Sequence, residues 1–345
     1  MAEDDKYALN SGDIIHKRYE IIKRYGQGGM ATVYKAYDIM TQRNVALKVI
    51  NPDVILKETG PKRYEIERES LARLADHPNV VPLYDVFQDQ GFFFIAMGLL
   101  EGGTLKNKFN DFGIMTIEEL QYYFGEIANG LSAAHKLGII HRDIKPDNIL
   151  ISSSGDVKIS DFGISIMIDN KSGEEQKPVG TPKYMSPEQI LGFEVNNQTD
   201  IYALGVMLYE FSTGVAPFLH MMPKVLATMH INKPVIPPRE LNPNIPQALE
   251  NIIMKSVAKN LDERYKTIDE FAKDLKNVTK SVNDKPLVFR QTFDYFNEKK
   301  GRIIKRPATS HFNSLRRYLK PSYTFLYTFL FTIMLIALII LLIIL

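Results

Sequence analysis

Eight residues, HRDIKPDN from His141 to Asn148, crowd a basic residue, two acids, a lysine and an amide into one short stretch. Such a stretch makes sense only if the rest of the chain supplies a scaffold and partners for it. With 345 residues, 45% of them hydrophobic and 24% charged, the chain can bury a sizeable core in one large or two ordinary domains. It contains no cysteine, which excludes disulfides, thiolate metal sites and a cysteine nucleophile and leans towards a reducing setting.

The net charge of +2 conceals an asymmetry. From Lys280 onward eleven Lys and Arg face three Asp and Glu, so the tail is basic and the body acidic. A body of that sign does not suggest nucleic acid. The run from Tyr323 to Leu345, YTFLYTFLFTIMLIALIILLIIL, has no charge, glycine or proline. As a helix it reaches ~34 Å, against about 30 Å for a bilayer core. A buried core helix would keep some polar edge, so the run is expected to be a transmembrane helix acting as a tail anchor. Arg316, Arg317 and Lys320 precede it, which by the positive-inside tendency puts the body on the cytoplasmic face of the cell membrane as a single-pass protein. The basic stretch before it is expected to lie against anionic lipid rather than nucleic acid.

β-Branched and aromatic runs from Tyr19 to Val49 read as strands around a glycine turn, GQGGMA. A helix is expected at about 62–75, then two strands in VVPLYDVF and GFFFIAMGLL. After EGGTL the pattern becomes helical: Ile117 to Leu137, Asp200 to Thr213, Lys224 to Asn232, Gln247 to Lys259, and TIDEFAKDLKNV behind a capping threonine. PVIPPRELNPNIP is expected as an ordered surface loop. A small β-rich lobe is thus followed by a larger helical one.

Phosphoryl transfer needs donors around nucleotide phosphates, a cation on them, oxygens for a metal and a residue to orient the attacking hydroxyl. Gly26, Gln27, Gly28, Gly29 and Met30 could bring backbone amides close to phosphate, although such hairpins also occur as purely structural turns. Lys48 in VALKV could supply the cation, or simply face solvent as strand lysines commonly do. Glu67 shares a helix face with Leu71 and Leu74, so a carboxylate there needs a cation such as Lys48; Glu69 is the competing partner. Asp143 could orient the hydroxyl, Lys145 could sit near the phosphoryl group, and Asn148 and Asp161 offer the hard oxygens that Mg2+ prefers, with Mn2+ as a substitute. His141 and Phe162 are read as packing residues.

In that order, GQGGMATV, VALKV, HRDIKPDN, SDFG, GTPKYMSPE and DIYALGVMLYE resemble eukaryotic-type protein kinases, closest in style to bacterial serine/threonine (Hanks-type) kinases. The resemblance implies an α+β bilobal fold over 12–278, with a β-rich N-lobe (12–100) and a helical C-lobe (101–278), then a basic stalk (279–321) and the anchor (322–345). It implies ATP under the loop Gly26 to Val33, adenine between Val33, Ala46 and Leu150, and Met97 before a hinge that includes Leu99. It further implies that Glu188 pairs with Arg264, that Asp200 holds the catalytic loop through backbone amides, and that Thr181 touches Asp143 and Lys145. The implied activity is transfer of the ATP γ-phosphate to protein serine or threonine, including a dimer for trans-autophosphorylation.

The third loop glycine is Ala31, and Ser186 replaces the usual alanine before Pro187 and Glu188. Between Gly163 and Gly180 the only hydroxyls are Ser165 and Ser172, the latter beside Glu174 and Glu175. Phosphorylated Ser172 or these acids are expected to take the place of a phosphothreonine, unless this is a solvated loop tolerant of acids. A catalytically weak membrane scaffold and a small-molecule kinase are the alternative functions; GTPKYMSPE, a platform for a peptide, speaks against the second.

Overall fold

The computed structural model describes residues 8–28, 31–50, 73–162, 182–280 and 284–294. Its first sheet has six antiparallel strands, β1 (Ile14–Ile15), β2 (Tyr19–Gln27), β3 (Ala31–Asp38), β4 (Arg43–Ile50), β5 (Leu83–Asp89) and β6 (Phe92–Gly98), in the order β1-β2-β3-β4-β6-β5. The glycine hairpin falls between β2 and β3, where Gly26 pairs with Val33 and the Gly28 N–H donates to the Ala31 carbonyl at 2.9 Å. β5 begins only after Pro82, which has no N–H to give a ladder. Its turn to β6 uses left-handed Gln90 and Gly91.

Strand alternation sends Val45, Leu47 and Val49 into one apolar cluster with Tyr19, Tyr34 and Phe94. Ala46 and Ile50 enter a second cluster on the opposite face with Phe93, Ile95 and Met97. Lys48 lies between Ala46 and Ile50 in the same parity, so it shares their face. That parity decides between a solvent-facing lysine and one turned towards the second lobe.

The second lobe is built on α1 (Leu105–Phe112), α2 (Ile117–Lys136), the hairpin β7 (Ile149–Ile151) and β8 (Val157–Ile159), α3 (Pro187–Ile190), α4 (Asn197–Thr213), α5 (Pro223–Asn232), α6 (Pro238–Leu241), α7 (Gln247–Ser256) and α8 (Ile268–Lys276). Thr104 and Thr116 close capping boxes with Asn107 and Glu119 at the starts of α1 and α2. From Gln198 to Thr213 every residue of α4 is buried, the state expected of a helix without a polar face. It starts three residues before the expected Asp200 because Asn196 caps it, its side chain accepting from the Gln198 N–H at 2.9 Å. Helix α7 stops at Ser256, short of the expected Lys259, and the proline-rich loop carries the short α6.

Past α8, the irregular segment 284–294 packs on the helical lobe, although it reads in sequence as the start of a stalk. Phe293 is buried in a cluster with Met185, Ile190, Leu191 and Ile231. Asn260 Nδ2 donates to the Thr292 carbonyl at 3.0 Å, and Arg290 pairs with Asp262, Glu263 and Asp294. Among the described residues no helix is long and apolar enough to cross a membrane. The run 323–345 lies outside them, as does the expected helix at 62–75 apart from its end, where Arg73 and Leu74 are helical.

Candidate active site

The octet His141 to Asn148 crosses from α2 to β7, and side chains hold its backbone. Asp200, in the first turn of α4, accepts from the His141 N–H at 2.9 Å and the Arg142 N–H at 2.8 Å. It also accepts from His135 Nε2 at 2.8 Å. Burial alone would push the Asp200 carboxyl up, but these bonds and the two histidines outweigh it and hold the group below its ordinary value. The clamp is therefore an anion at neutral pH. It supports Arg142 in left-handed backbone at φ 69°, a conformation that costs a non-glycine residue about 1–2 kcal/mol.

His141 is fully buried, with Nε2 bonded to the Ser160 carbonyl at 2.7 Å and its ring edge-on to Phe162 at 4.7 Å. It packs the loop against the strand end rather than facing the cleft. Asp143 and Lys145 do face each other, with Nζ 2.6 Å from Oδ2. Asn148 is buried, and its Nδ2 donates to the Asp143 carbonyl at 2.8 Å and to Asp143 Oδ2 at 3.2 Å. Those donations leave Oδ1 as the amide's acceptor.

β7 and β8 deliver the remaining acid. The Ser160 N–H donates to the Asn148 carbonyl at 2.9 Å, and Asp161 follows in left-handed backbone at φ 67°. Its Oδ1 lies 2.8 Å from Lys48 Nζ, so the strand lysine and the loop acid meet across the two lobes. Asp161 and Asn148 together present hard oxygen donors, the kind a Mg2+ ion uses when phosphates complete its shell, so the donor set fits that metal. No group of three or more His, Asp and Glu suited to a metal occurs among the described residues. A nucleotide-borne ion needs none.

Beside these polar groups lies a shared apolar wall. Ala46 and Met97 are opposite one another on β4 and β6, and their cluster includes Val33, Leu99 and Leu150. Leu150 comes from the helical lobe, so the cluster draws apolar side chains from both lobes. The chain crosses between lobes at Gly98, where a Cβ would come within 2.9 Å of Pro82. At Gly102 it would meet the Ile151 carbonyl at 2.5 Å. Both positions require the close approach that only glycine allows.

Gly26, Gln27 and Gly28 lie on the hairpin, while Gly29, Met30, Glu67 and Glu69 lie outside the described residues. Lys48 has Asp161 as its described partner. Ser165, Ser172, Glu174, Glu175 and Thr181 also lie outside. Glu188 and Arg264 pair with both side chains almost wholly buried, at 2.9 and 3.2 Å, and Thr199 Oγ1 adds a bond to Glu188 at 2.9 Å. Burial would raise the Glu188 carboxyl; Arg264 outweighs it and holds the group down. His135 and Gln189, whose Nε2 donates to the Arg142 carbonyl at 2.7 Å, are site-supporting residues that sequence reasoning missed. Gln189 follows Glu188 directly, and that adjacency was its only signal.

This geometry has counterparts among known proteins. The protein kinase domain model matches residues 19–277. A probable serine/threonine-protein kinase of Clostridium perfringens is 38% identical over 273 residues, covering 79% of this chain and 40% of that relative. The serine/threonine-protein kinase PrkC of Bacillus subtilis is 37% identical over 266 residues, covering 77% of this chain and 41% of that relative. The chain thus spans about two-fifths of the length of these curated relatives. The crystal structure of the Mycobacterium tuberculosis PknI kinase domain superimposes with a TM-score of 0.65 at 24% identity, covering 79% of this chain and all of that domain, which speaks to the fold. With a matching domain model over three-quarters of its length and the lysine, aspartates and asparagine drawn together between two lobes, the chain belongs to the protein kinase family.

Proposed function

We propose that the chain is an ATP-dependent serine/threonine protein kinase. The observation that carries this reading is the meeting of Lys48 with Asp161 at 2.8 Å beside Asp143, Lys145 and Asn148, with an apolar cluster drawn from both lobes close by. Adenine enters between Val33 and Ala46 above and Leu150 below, with Met97 behind it and Leu99 at the hinge. The Gly26–Val33 hairpin covers the phosphates and Lys48 meets them. Asp161 and Asn148 would hold Mg2+, which when bound neutralises charge on the phosphates. The acceptor hydroxyl donates to the Asp143 carboxylate, which takes its proton as the new O–P bond to the γ-phosphorus forms and the bond to the β–γ bridging oxygen breaks, ADP leaving with that electron pair. Lys145, already paired to Asp143, offers an N–H to the phosphoryl oxygens in flight.

The names of the relatives support serine and threonine as acceptors, and the Pro182–Ile190 platform supports a peptide rather than a small molecule. The apolar run 323–345 and the basic residues before it support a membrane anchor that holds the enzyme to the inner face of the cell membrane, against anionic lipid, where paired copies phosphorylate one another. Ser172 or its acidic neighbours remain our reading for the activating charge.

The test is transfer from γ-labelled ATP to a generic acceptor protein by the purified full chain. Wild type transfers label, and Asp143→Asn falls by about 10²–10⁴-fold. No transfer by wild type, or equal transfer by the variant, contradicts the proposal and favours a scaffold.

A further inference from the structure

Arg142 is gripped at both of its backbone polar groups. Arg142 has left-handed backbone, which a non-glycine residue keeps only where its surroundings fix it. Its N–H is taken by Asp200 of α4 at 2.8 Å. Its carbonyl is taken by Gln189 of α3, whose Nε2 donates at 2.7 Å. Beyond that carbonyl the Asp143 N–H reaches only His141 Nδ1 at 3.3 Å, a longer and weaker contact. The tilt of the plane leading into Asp143 is therefore set chiefly through Gln189.

The same amide has a second task. Its Oε1 accepts from the Ser186 N–H at 3.1 Å and the Ser186 hydroxyl at 3.2 Å, closing the capping box of α3. Glu188, one residue earlier, points the other way into the buried pair with Arg264. Neighbouring side chains of one short helix thus fasten it to the lobe and to the catalytic loop.

We propose that Gln189 is a positioning residue for phosphoryl transfer: its Nε2–H fixes the peptide plane preceding Asp143 and so aims that carboxylate at the acceptor hydroxyl. This inference rests on the transfer reading above. It makes the peptide platform and the catalytic loop one unit, since the helix that ends the platform also sets the base.

The two tasks of Gln189 separate by substitution. Gln189→Glu keeps the acceptor, and glutamate is a favoured capping-box residue, but it has no donor for the Arg142 carbonyl. Gln189→Lys keeps a donor and loses the acceptor. Gln189→Met has neither at similar volume. Steady-state kinetics of the full chain with MgATP and an acceptor protein should give Lys a kcat within about threefold of wild type. Glu and Met should fall about tenfold or more, with KM for ATP within about twofold in all three. Glu equal to wild type, or faster than Lys, overturns the proposal in favour of a mere cap. Gln189 is half-buried, so both charged variants can reach solvent, and their order decides the matter even if Met does not fold. An inactive wild type would refute the transfer reading itself, whereas an active wild type with Glu faster than Lys refutes only the role of Gln189.

Discussion

Glu188 and Arg264 share one buried ion pair, and a pair in that state is costly to break because the survivor keeps its charge without water. Arg264→Leu should destabilise the fold by about 3–5 kcal/mol, read from urea unfolding. A loss under about 1 kcal/mol would mean that Thr199 and solvent satisfy Glu188 alone. His230 provides a pH test. Burial, with the Lys259 ammonium adding to it, lowers the His230 pKa from its ordinary 6.5 to about 3. The unfolded chain then takes up that proton first, so the stability tied to neutral His230 is complete above about pH 6.5 and is lost as pH falls towards 3. One proton corresponds to about 1.4 kcal/mol per pH unit. Unfolding free energies at pH 6.5 and 5 should therefore fall less steeply for His230→Gln than for wild type, and parallel slopes would contradict the assignment. Lys48, Asp143, Asn148 and Asp161 were legible in the sequence because the chemistry fixes their types and their short-range spacing. His135 was not, because it meets Asp200 across a separation of 65 residues and nothing local marks it.

Regular elements were legible where one period dominates. The β2–β3–β4 meander and α2 follow their hydrophobic patterns closely, whereas α4 is buried all round and so lacks a face to read. Its start was set by a capping asparagine rather than by periodicity. The segment 284–294 was illegible for another reason: it has no period, and its place depends on two aromatic rings, Phe289 and Phe293, and a few polar contacts. The Phe293 ring lies tilted against Phe193 at 5.8 Å and packs with Met185 and Ile190 of the platform. Phe293→Ala should cost about 3 kcal/mol of stability, measured by urea unfolding of the full chain. An unchanged midpoint would show that the segment contributes nothing to the lobe it lies on.

The two lobes meet through the hinge, the Lys48–Asp161 pair, the backbone bonds of Asn79 and Val81 to Ile159, and an apolar cluster with residues from both. A ligand bound only by the native chain stabilises it by RT ln(1 + [L]/Kd). Whether the four polar residues converge on one metal–nucleotide complex is tested most directly by the magnesium dependence of ATP affinity, from calorimetric titration of the full chain with and without Mg2+. Wild type should bind ATP more tightly with Mg2+, and Asp161→Asn should lose most of that gain. If Asp161→Asn keeps the full magnesium effect, or if wild type binds no ATP at all, those residues do not form the site described.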